Sequence, residues 1–562
     1  MRRALQRGLA LNLLHPKEAI IMPVYCAGNY LKYYFLFFTY ALLISNVQAQ
    51  DSLKNLTEYS LPITNQKLVI AHCMTNIIRY KGHELEDSCN PAYYAASGNI
   101  TEPLGGLTQV KPMEDSLLAN KTLDEAVEFE MRAAIRSGID GFQFYYILGN
   151  SKWDDIIKAY FRVADKKHIN FKFTFCISHP NGSTEAVKIN EFAGRINNIM
   201  AEVGRNNPHW LRTPDGRLIV YQWIAEGLAD IPTDKMGLTD QYYIARAYKR
   251  LADAVHERFA CVFTVNTEIS KNILDSYLDY FPAVWIWTLP YGKNYIGNMI
   301  AEECKKRNRT FTGSVFSDFY TSKLLKEDTW DMYHTAHEAV NAGITHVERK
   351  YITTGLSYNF RKLFEFGIKQ NAPIINVITW NDYPEGHHLA PEINHNEGFS
   401  ILLNYYKSLW RGQPSPYADR DVAIVLFKKY NHNVKPYPYD IPVKAFQKET
   451  IKASSEDSTE VITLLKNTAR LTVNGHAVSV APGLMSTKFK SQTGPVRVAV
   501  VDNGKTTVKF TTPEGITDHP FRTDRITYTF SSEFGRFYNN LFDGFVPSYS
   551  HQYNPAFNES KQ

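Results

Sequence analysis

The chain has 562 residues, of which 44% are apolar and 21% are charged, and its net charge is +5. This composition is typical of a globular protein with a large core, and the length predicts more than one domain. The small net charge, without a long basic block, argues against a nucleic-acid-binding protein.

Residues 1–49 predict an export signal, with Met22 as an alternative start. An apolar run over residues 33–44 is shorter than the roughly 20 residues that span a bilayer. "VQA" fits a small-residue cleavage site before Gln50. We therefore expect a cleaved signal, a lead over residues 50–66, and a mature protein that is secreted, periplasmic or on the cell surface without a membrane segment. The alternative is that the run is kept as an anchor.

Residues 67–415 alternate between apolar strands and amphipathic helices. The first clear helix follows Thr122, which has the spacing of a capping box with Glu125. A longer helical region is expected before the last strand. The predicted strands are KLVIAHCM, IDGFQFYYI, FKFTFCIS, RLIVYQW, CVFTVNT, AVWIWTL, FTGSVFS and IINVITW.

These eight strands are mostly continuous apolar runs, which is typical of parallel strands covered on both faces. Eight such strands with helical crossovers predict an α/β fold, a closed (β/α)8 TIM-type barrel. A doubly wound open sheet is the alternative, but no GxGxxG follows the first strand.

Residues 416–535 have a different pattern. Prolines 414 and 416 form a junction, after which short strands such as VRVAVVD and TTVKFTT are separated by turn signals. The pattern predicts a small antiparallel β-sandwich that packs on the barrel and supports it. Residues 536–562 form a tail that the pattern does not assign.

Cysteines do not indicate a disulfide framework, because an odd number remains after the predicted signal. Cys73, Cys176 and Cys261 lie in apolar runs and are expected in the core, although a Cys73–Cys89 bridge stays open. No CxxC or HExxH spacing is present, and we expect no metal and no cofactor.

The segment ITWNDYPEGHHLAP, residues 378–391, lies at the end of the last predicted barrel strand. In such barrels the chemistry is placed at the carboxyl ends of the strands. Two carboxylates there, Asp382 and Glu385, are the minimal apparatus for glycoside hydrolysis. Glu385 is further from the strand end, so we predict it as general acid and Asp382 as general base, acting on water or on a sugar hydroxyl.

Other polar and aromatic residues near strand ends are candidates for substrate binding. For each of them, structural packing is the alternative, and the histidines could also form a metal cluster with the acids. The candidates are Trp380, Asn381, His387, His388, His72, Trp285, Trp287, Tyr291, Asp318 and Glu226.

The motifs VIAHCM, SGIDGFQF, VWIWTLPY, GSVFSDFY and above all ITWNDYPEGHHLAP resemble glycoside hydrolase family 71, the α-1,3-glucanases. The resemblance implies endo-hydrolysis of α-1,3-glucan with inversion, with Asp382 and Glu385 as the acids. The segment is also similar to the NEWHEG stretch of family 99 endo-α-mannosidases, whose second acid protonates the leaving group. Pro384 and Gly386 depart from the family 71 pattern, which leaves the substrate linkage open.

The sequence thus predicts a secreted, monomeric endo-glycosidase that acts on an α-linked glucan as polysaccharide or oligosaccharide. An α-mannan or other α-glycan hydrolase is one alternative. A catalytically inactive carbohydrate-binding protein is another.

Overall fold

The protein is described here by a computed structural model. Among the described residues, no helix combines the length and the apolar character needed to cross a bilayer. The predicted signal, Cys89 and most of the tail lie outside these residues. The described residues are 63–85, 110, 112–178, 180, 182–232, 234, 240–321, 324–326, 332–333, 347–392, 394–435, 443–445, 451–520 and 525–538.

The first part of the chain forms a large parallel sheet, whose strands are short and mostly buried, and a small separate sheet. The strands are β1 (Leu68–Cys73), β2 (Gly141–Tyr146), β3 (Lys172–Ser178), β4 (Leu218–Trp223), β5 (Phe259–Val265), β6 (Ala283–Ile286), β7 (Thr310–Phe311), β8 (Gly313–Val315), β9 (Leu324–Lys326), β10 (Met332–Tyr333), β11 (Val347–Tyr351) and β12 (Ile374–Val377).

The large sheet closes into a barrel. Its strand order is β7-β6-β5-β4-β3-β2-β1-β12-β8, with all pairs parallel. Only Thr312 separates β7 from β8, so the two are parts of one strand that pairs with β6 on one side and β12 on the other. The predicted (β/α)8 TIM-type barrel is therefore confirmed.

Helices cover the outside of the barrel. The predicted capping box is present: the Glu125 backbone N–H donates to the Thr122 hydroxyl, and the Glu125 carboxylate accepts from the Thr122 backbone N–H. The helices are α1 (Glu114–Leu118), α2 (Leu123–Arg136), α3 (Lys152–Lys167), α4 (Glu185–Val203), α5 (Asp240–Val255), α6 (Lys271–Tyr280), α7 (Gly297–Lys306), α8 (Tyr358–Lys369) and α9 (Gly398–Arg411).

The region before the last barrel strand is not one long helix. Its described residues contain β9, β10 and β11, which belong to a separate four-stranded sheet, and then α8. The fourth strand of this sheet comes from the second region, where it lies between two sandwich strands in the chain, and it pairs parallel with β11. The helical prediction is confirmed for α8 and wrong for the residues of β9, β10 and β11, because pairing with strands distant in sequence decides their structure.

The second region forms two antiparallel sheets packed face to face. The strand orders are β18-β15-β13-β21 and β17-β16-β19-β20. Buried residues of both sheets, such as Val425 and Val461 in one and Leu471 and Val498 in the other, share one hydrophobic cluster. This agrees with the predicted β-sandwich after the barrel. The remaining elements are β13 (Val422–Lys428), β14 (Val443–Ala445), β15 (Ser458–Leu465), β16 (Ala469–Val473), β17 (His476–Val480), β18 (Gly483–Lys490), β19 (Gly494–Asp502), β20 (Lys505–Ile516), β21 (Thr527–Ser531) and α10 (Phe534–Tyr538).

Buried polar contacts join the sandwich to the barrel. Glu460 of β15 accepts from the backbone N–H and the hydroxyl of Ser357, at 3.0 and 2.7 Å. Lys428 of β13 donates to Asp318 at 2.9 Å. A buried charge that loses its partner is costly, so these contacts bind the two regions into one structural unit.

The cysteines that the structure describes are buried and unpaired. Cys73, Cys176 and Cys261 lie in barrel strands, and Cys304 lies on α7. The core placement predicted for the first three is confirmed. Cys73 is a free thiol in this structure.

Candidate active site

The segment after β12 folds back on itself at the carboxyl end of the barrel. The Trp380 backbone N–H donates to the His72 carbonyl at 2.7 Å, which continues the pairing with β1. The Trp380 carbonyl accepts from Leu389 and Ala390, at 2.9 and 2.8 Å. The residues between these contacts therefore form a closed loop above the barrel strands.

This loop contains a short turn that places the two acids. Residues Tyr383–Glu385 form one turn of 3₁₀ helix, and Gly386 ends it with a left-handed φ of 71°. A Cβ at position 386 would lie 3.2 Å from the Tyr320 carbonyl, so glycine fits both the conformation and the space. The Tyr320 backbone N–H donates to the Glu385 carbonyl at 2.9 Å, which anchors the turn to the segment after β8.

The carboxyl groups of Asp382 and Glu385 are brought together with His387. One ligand atom from each of the three side chains lies within 4.8 Å of the others. The Glu385 side chain is 23% exposed and that of Asp382 is 10% exposed. Glu385 is therefore partly open to solvent, whereas Asp382 is largely buried.

Hydrogen bonds fix the orientation of His387 between the acids. The Asp382 backbone N–H donates to the Thr379 hydroxyl at 2.9 Å, and that hydroxyl lies 3.2 Å from His387 Nδ1. Since the hydroxyl oxygen already accepts, its own hydrogen can point to Nδ1. The proton of the neutral imidazole is then on Nε2, which lies 3.0 Å from Glu385 Oε2 and donates to it.

Aromatic rings line the site beside His387. The Trp287 ring lies edge-on to His387, with centroids 5.8 Å apart, and to His72 at 5.2 Å. Phe319 is 5.8 Å from His387 on another side. Five of the predicted site residues thus lie close together in the structure, as their positions at strand ends predicted. They are Asp382, Glu385, His387, Trp287 and His72.

Two predicted sugar-binding tryptophans lie elsewhere. Trp380 is fully buried, its indole N–H donates to Glu130 of α2, and its ring packs near Phe142. Trp285 is fully buried inside the barrel, where its indole N–H donates to the Gln222 carbonyl at 3.3 Å. Neither ring offers a face to a ligand in this structure.

Asn381 is occupied by the loop after β1. Its side chain accepts from the Met74 backbone N–H at 2.8 Å and donates to the carbonyls of Met74 and Ile77, at 3.1 and 2.6 Å. The residue that was predicted to bind substrate therefore holds the backbone of two strand-end loops together.

His388 and Asp318 belong to a buried ionic cluster behind the acid-bearing loop. His388 Nε2 lies 3.4 Å from Glu392, and burial lowers the pKa of His388 to about 4. Asp318 contacts Lys428 and His395; although burial alone would raise its pKa, these two cations lower it. Both predicted ligand-binding residues are in contact with protein groups and not with the cleft.

Tyr291 and Glu226 are away from the acids. The Tyr291 ring packs near Tyr295 and Tyr358, with centroids 5.3 and 6.5 Å away. Glu226 is exposed and lines a separate cavity beyond the end of β4.

A second group with metal-ligand types is present among the described residues, formed by His388, Glu392 and His395. His395 Nδ1 faces the His388 carbonyl and Nε2 faces Asp318, both at 3.1 Å. Because both ring nitrogens of His395 are taken by oxygen atoms of the protein, the ring has no nitrogen left for a metal ion. This arrangement favours an ionic cluster over a metal site.

Sequence patterns missed a buried pair of glutamates under the loop. Glu114 and Glu130 are both buried, and burial, followed by their mutual interaction, raises the pKa of Glu114 well above its usual value. Burial also raises the pKa of Glu130. The sequence could have indicated that Glu130 is buried, because this residue lies on the apolar face of α2, three residues after Val127 and four before Ala134.

No family model and no curated protein match the chain. Among solved structures, a GH99 endo-α-mannosidase from Bacteroides thetaiotaomicron is similar over 62% of this chain and 99% of its own, with 11% identity and a TM-score of 0.40. A glycosyl hydrolase family 2 member from Bacteroides cellulosilyticus covers 79% of this chain and 46% of its own, with 12% identity and a TM-score of 0.39. A family 1 β-glucosidase from Thermotoga maritima is similar over 63% of this chain and 99% of its own chain, with 10% identity and a TM-score of 0.31.

These structural neighbours are glycoside hydrolases. At such identities and TM-scores, the likeness does not define a function for this chain. The function has to be inferred from the chemistry of its own site.

Proposed function

We propose that the protein is an endo-acting glycoside hydrolase that cleaves an α-linked glucan. The observation that carries the proposal is the carboxyl pair of Asp382 and Glu385, oriented by His387 at the carboxyl end of a closed barrel. Two carboxyl groups at this end of the fold can protonate a leaving oxygen and assist the attack on the sugar carbon.

Glu385 acts as the general acid in this proposal. It is the more exposed of the two acids, and Nε2–H of His387 occupies one of its oxygens. The other oxygen is then the one that carries a proton to the glycosidic oxygen. Asp382 acts as the base, on water or on a neighbouring sugar hydroxyl, and its backbone N–H is tied to Thr379.

The roles of the acids are tested with Glu385→Gln and Asp382→Asn. Glu385→Gln should abolish cleavage of natural glycan and retain part of the activity on an aryl glycoside whose leaving group needs no protonation. Asp382→Asn should lose activity on both substrates. Rescue at Asp382 with none at Glu385 would reverse the assignment.

The same variants separate an enzyme from a carbohydrate-binding protein. A binding protein without activity would show no hydrolysis by the parent chain, and both variants would keep its affinity for glycan. Hydrolysis by the parent that disappears in Asp382→Asn would exclude that alternative.

The stereochemical outcome separates the two routes open to Asp382 as base, since direct activation of water inverts the configuration, whereas activation of a neighbouring sugar hydroxyl retains it in two steps. Proton NMR of the first product formed from the polymer would show the α-anomer for retention. The β-anomer would support the inversion that the family 71 resemblance implies.

The linkage is proposed from the sequence motifs. Incubation with α-1,3-glucan, other α-glucans and α-mannans, followed by sizing of the products, should give internal cleavage of α-1,3-glucan. Cleavage of α-mannan alone would make the protein a mannoside hydrolase on the same site.

A polymeric substrate agrees with export, which we propose from the apolar run at residues 33–44 and the cleavage pattern before Gln50. Sequencing of the N-terminus of extracellular protein should find a chain that begins at or near Gln50. Extracellular protein that still contains residues 33–44 would contradict cleavage.

A further inference from the structure

A cavity of ≈ 220 Å³ lies beyond the carboxyl ends of β4 and β5. Since all barrel strands are parallel, this is the barrel end that also carries Asp382 and Glu385. The cavity is lined in part by Glu226, Phe263, Asn266, Thr267, Glu268 and Tyr277.

Two tryptophans connect the acids to this cavity. Trp223 is the last residue of β4, and its ring centroid lies 4.3 Å from that of Trp287. Trp287 in turn lies 5.8 Å from His387, the partner of Glu385. Aromatic rings are the protein groups that pack on the apolar faces of sugar rings, and Trp223 is only partly buried.

The backbone between Trp223 and the cavity is strained. Ile224 has φ 51° and ψ 55°, the left-handed region, which is a true outlier for a β-branched residue. Such a conformation is unfavourable for this residue and occurs preferentially at functional sites. Here it lies between Trp223, which packs on Trp287, and Ala225 and Glu226, which line the cavity.

The lining is suited to a neutral polyhydroxylated ligand. Glu226, Glu268 and Asn266 supply acceptors for hydroxyl groups, and the Asn266 amide also donates. Within the described part of the chain, neither Lys nor Arg lines the cavity, so an anionic sugar would meet carboxylates without compensation. The volume is below the about 300–1,000 Å³ of pockets for larger ligands, which suits one ring.

We propose that this cavity is a distal subsite that binds one neutral pyranose of the glycan chain, with Trp223, held in place by Trp287, supporting the sugars between it and the acids. The proposal rests on the proposed glycosidase function, because it places the chain that the acids cleave. It makes affinity depend on chain length and on the absence of negative charge.

The test measures binding to the Glu385→Gln protein by calorimetry. The probes are neutral α-1,3-linked gluco-oligosaccharides and α-mannan oligosaccharides of increasing length, and α-linked oligogalacturonates as the anionic series. Affinity for one neutral series should rise with length until the cavity is filled. Adding Trp223→Ala or Glu226→Ala should reduce affinity for the longest members at least 10-fold and leave the shortest bound member unchanged. The anionic series should not bind.

Tyr405→Ala, which truncates a partly buried aromatic on α9, is the matched control and should leave all affinities unchanged. Equal affinity of the parent and the Trp223 and Glu226 variants at every length would overturn the subsite. So would the absence of binding by both neutral series, or equal binding of the anionic series. If the length dependence is observed but the protein with intact Glu385 hydrolyses no glycan, the catalytic proposal fails and the subsite stands.

Discussion

Glu397 is a buried acid at the contact between the barrel and the β-sandwich, and its ionisation should control stability. It directly precedes α9, is fully buried, and accepts a hydrogen bond from the Ser531 hydroxyl of β21 at 2.6 Å. Burial raises the pKa of Glu397 to about 8 from the usual 4.5, and the negative charge of Glu533 adds to this effect.

The direction of the pH effect follows from proton binding. Between pH 4.5 and 8 the unfolded chain has lost this proton and the folded chain has kept it, so stability falls as pH rises. At about 1.36 kcal/mol per pH unit, the whole interval corresponds to ~5 kcal/mol. Raising the pH from about 5.5 to about 7.5 should lower the free energy of unfolding by ~2.5 kcal/mol, and the whole contribution of this proton should be lost above pH 8.

The assay is urea unfolding of the parent and of Glu397→Gln at both pH values, followed by tryptophan fluorescence. The amide keeps an oxygen for Ser531 but cannot ionise, so the variant should gain about 2–3 kcal/mol relative to the parent between the two pH values. The exposed Glu302→Gln serves as a control for the loss of a carboxylate. A difference between Glu397→Gln and the parent that is the same at both pH values would refute the reasoning.

Three further predictions concern the site and its support. His387→Gln should lower kcat about 10- to 100-fold with little change in KM, because the oxygen of Glu385 loses its oriented donor; an unchanged kcat in steady-state assays would contradict this. Glu130→Leu should lower stability by about 1–3 kcal/mol because the Trp380 N–H loses its acceptor, whereas Glu130→Gln should unfold at a temperature near that of the parent; equal melting of both variants would contradict this. A chain ending at Pro416 should be insoluble or inactive because Asp318 loses Lys428; a soluble, fully active protein of that length would show that the sandwich gives no support.

The barrel could be predicted because each strand is locally encoded. Strands buried on both faces read as continuous apolar runs, and helices between them show helical spacing, so the order of elements is visible along the chain. The stretch before β12 could not be predicted this way. Its strand β11 pairs with β14, which lies about 90 residues later, and no local pattern records such a partner.

The rule that barrel chemistry lies at strand ends located Asp382, Glu385 and His387, but it could not separate cleft residues from core residues. The side chains of the residues that follow β12 point in different directions because the loop folds back on itself. Hydrogen bonds to the Trp380 carbonyl and the Thr379 hydroxyl hold this fold. The Trp380 side chain therefore points to α2, while the side chains of Asp382 and Glu385 lie together beside His387. The same rule applied to β4 would have found Trp223, which ends that strand.

The β-sandwich contacts the support of the acid-bearing loop through side chains and not only through a shared boundary. Lys428 of β13 pairs with Asp318, Asp318 bonds His395, and the His395 ring lies 4.7 Å from that of His388. His388 in turn packs 4.7 Å from Tyr383, the residue after Asp382. Ile526, just before β21, approaches the turn itself, since a Cβ at Gly386 would lie 3.6 Å from its side chain. A loop that carries two acids needs a rigid support on the side away from substrate. In this chain the sandwich supplies part of that support, which gives it a role in the proposed reaction.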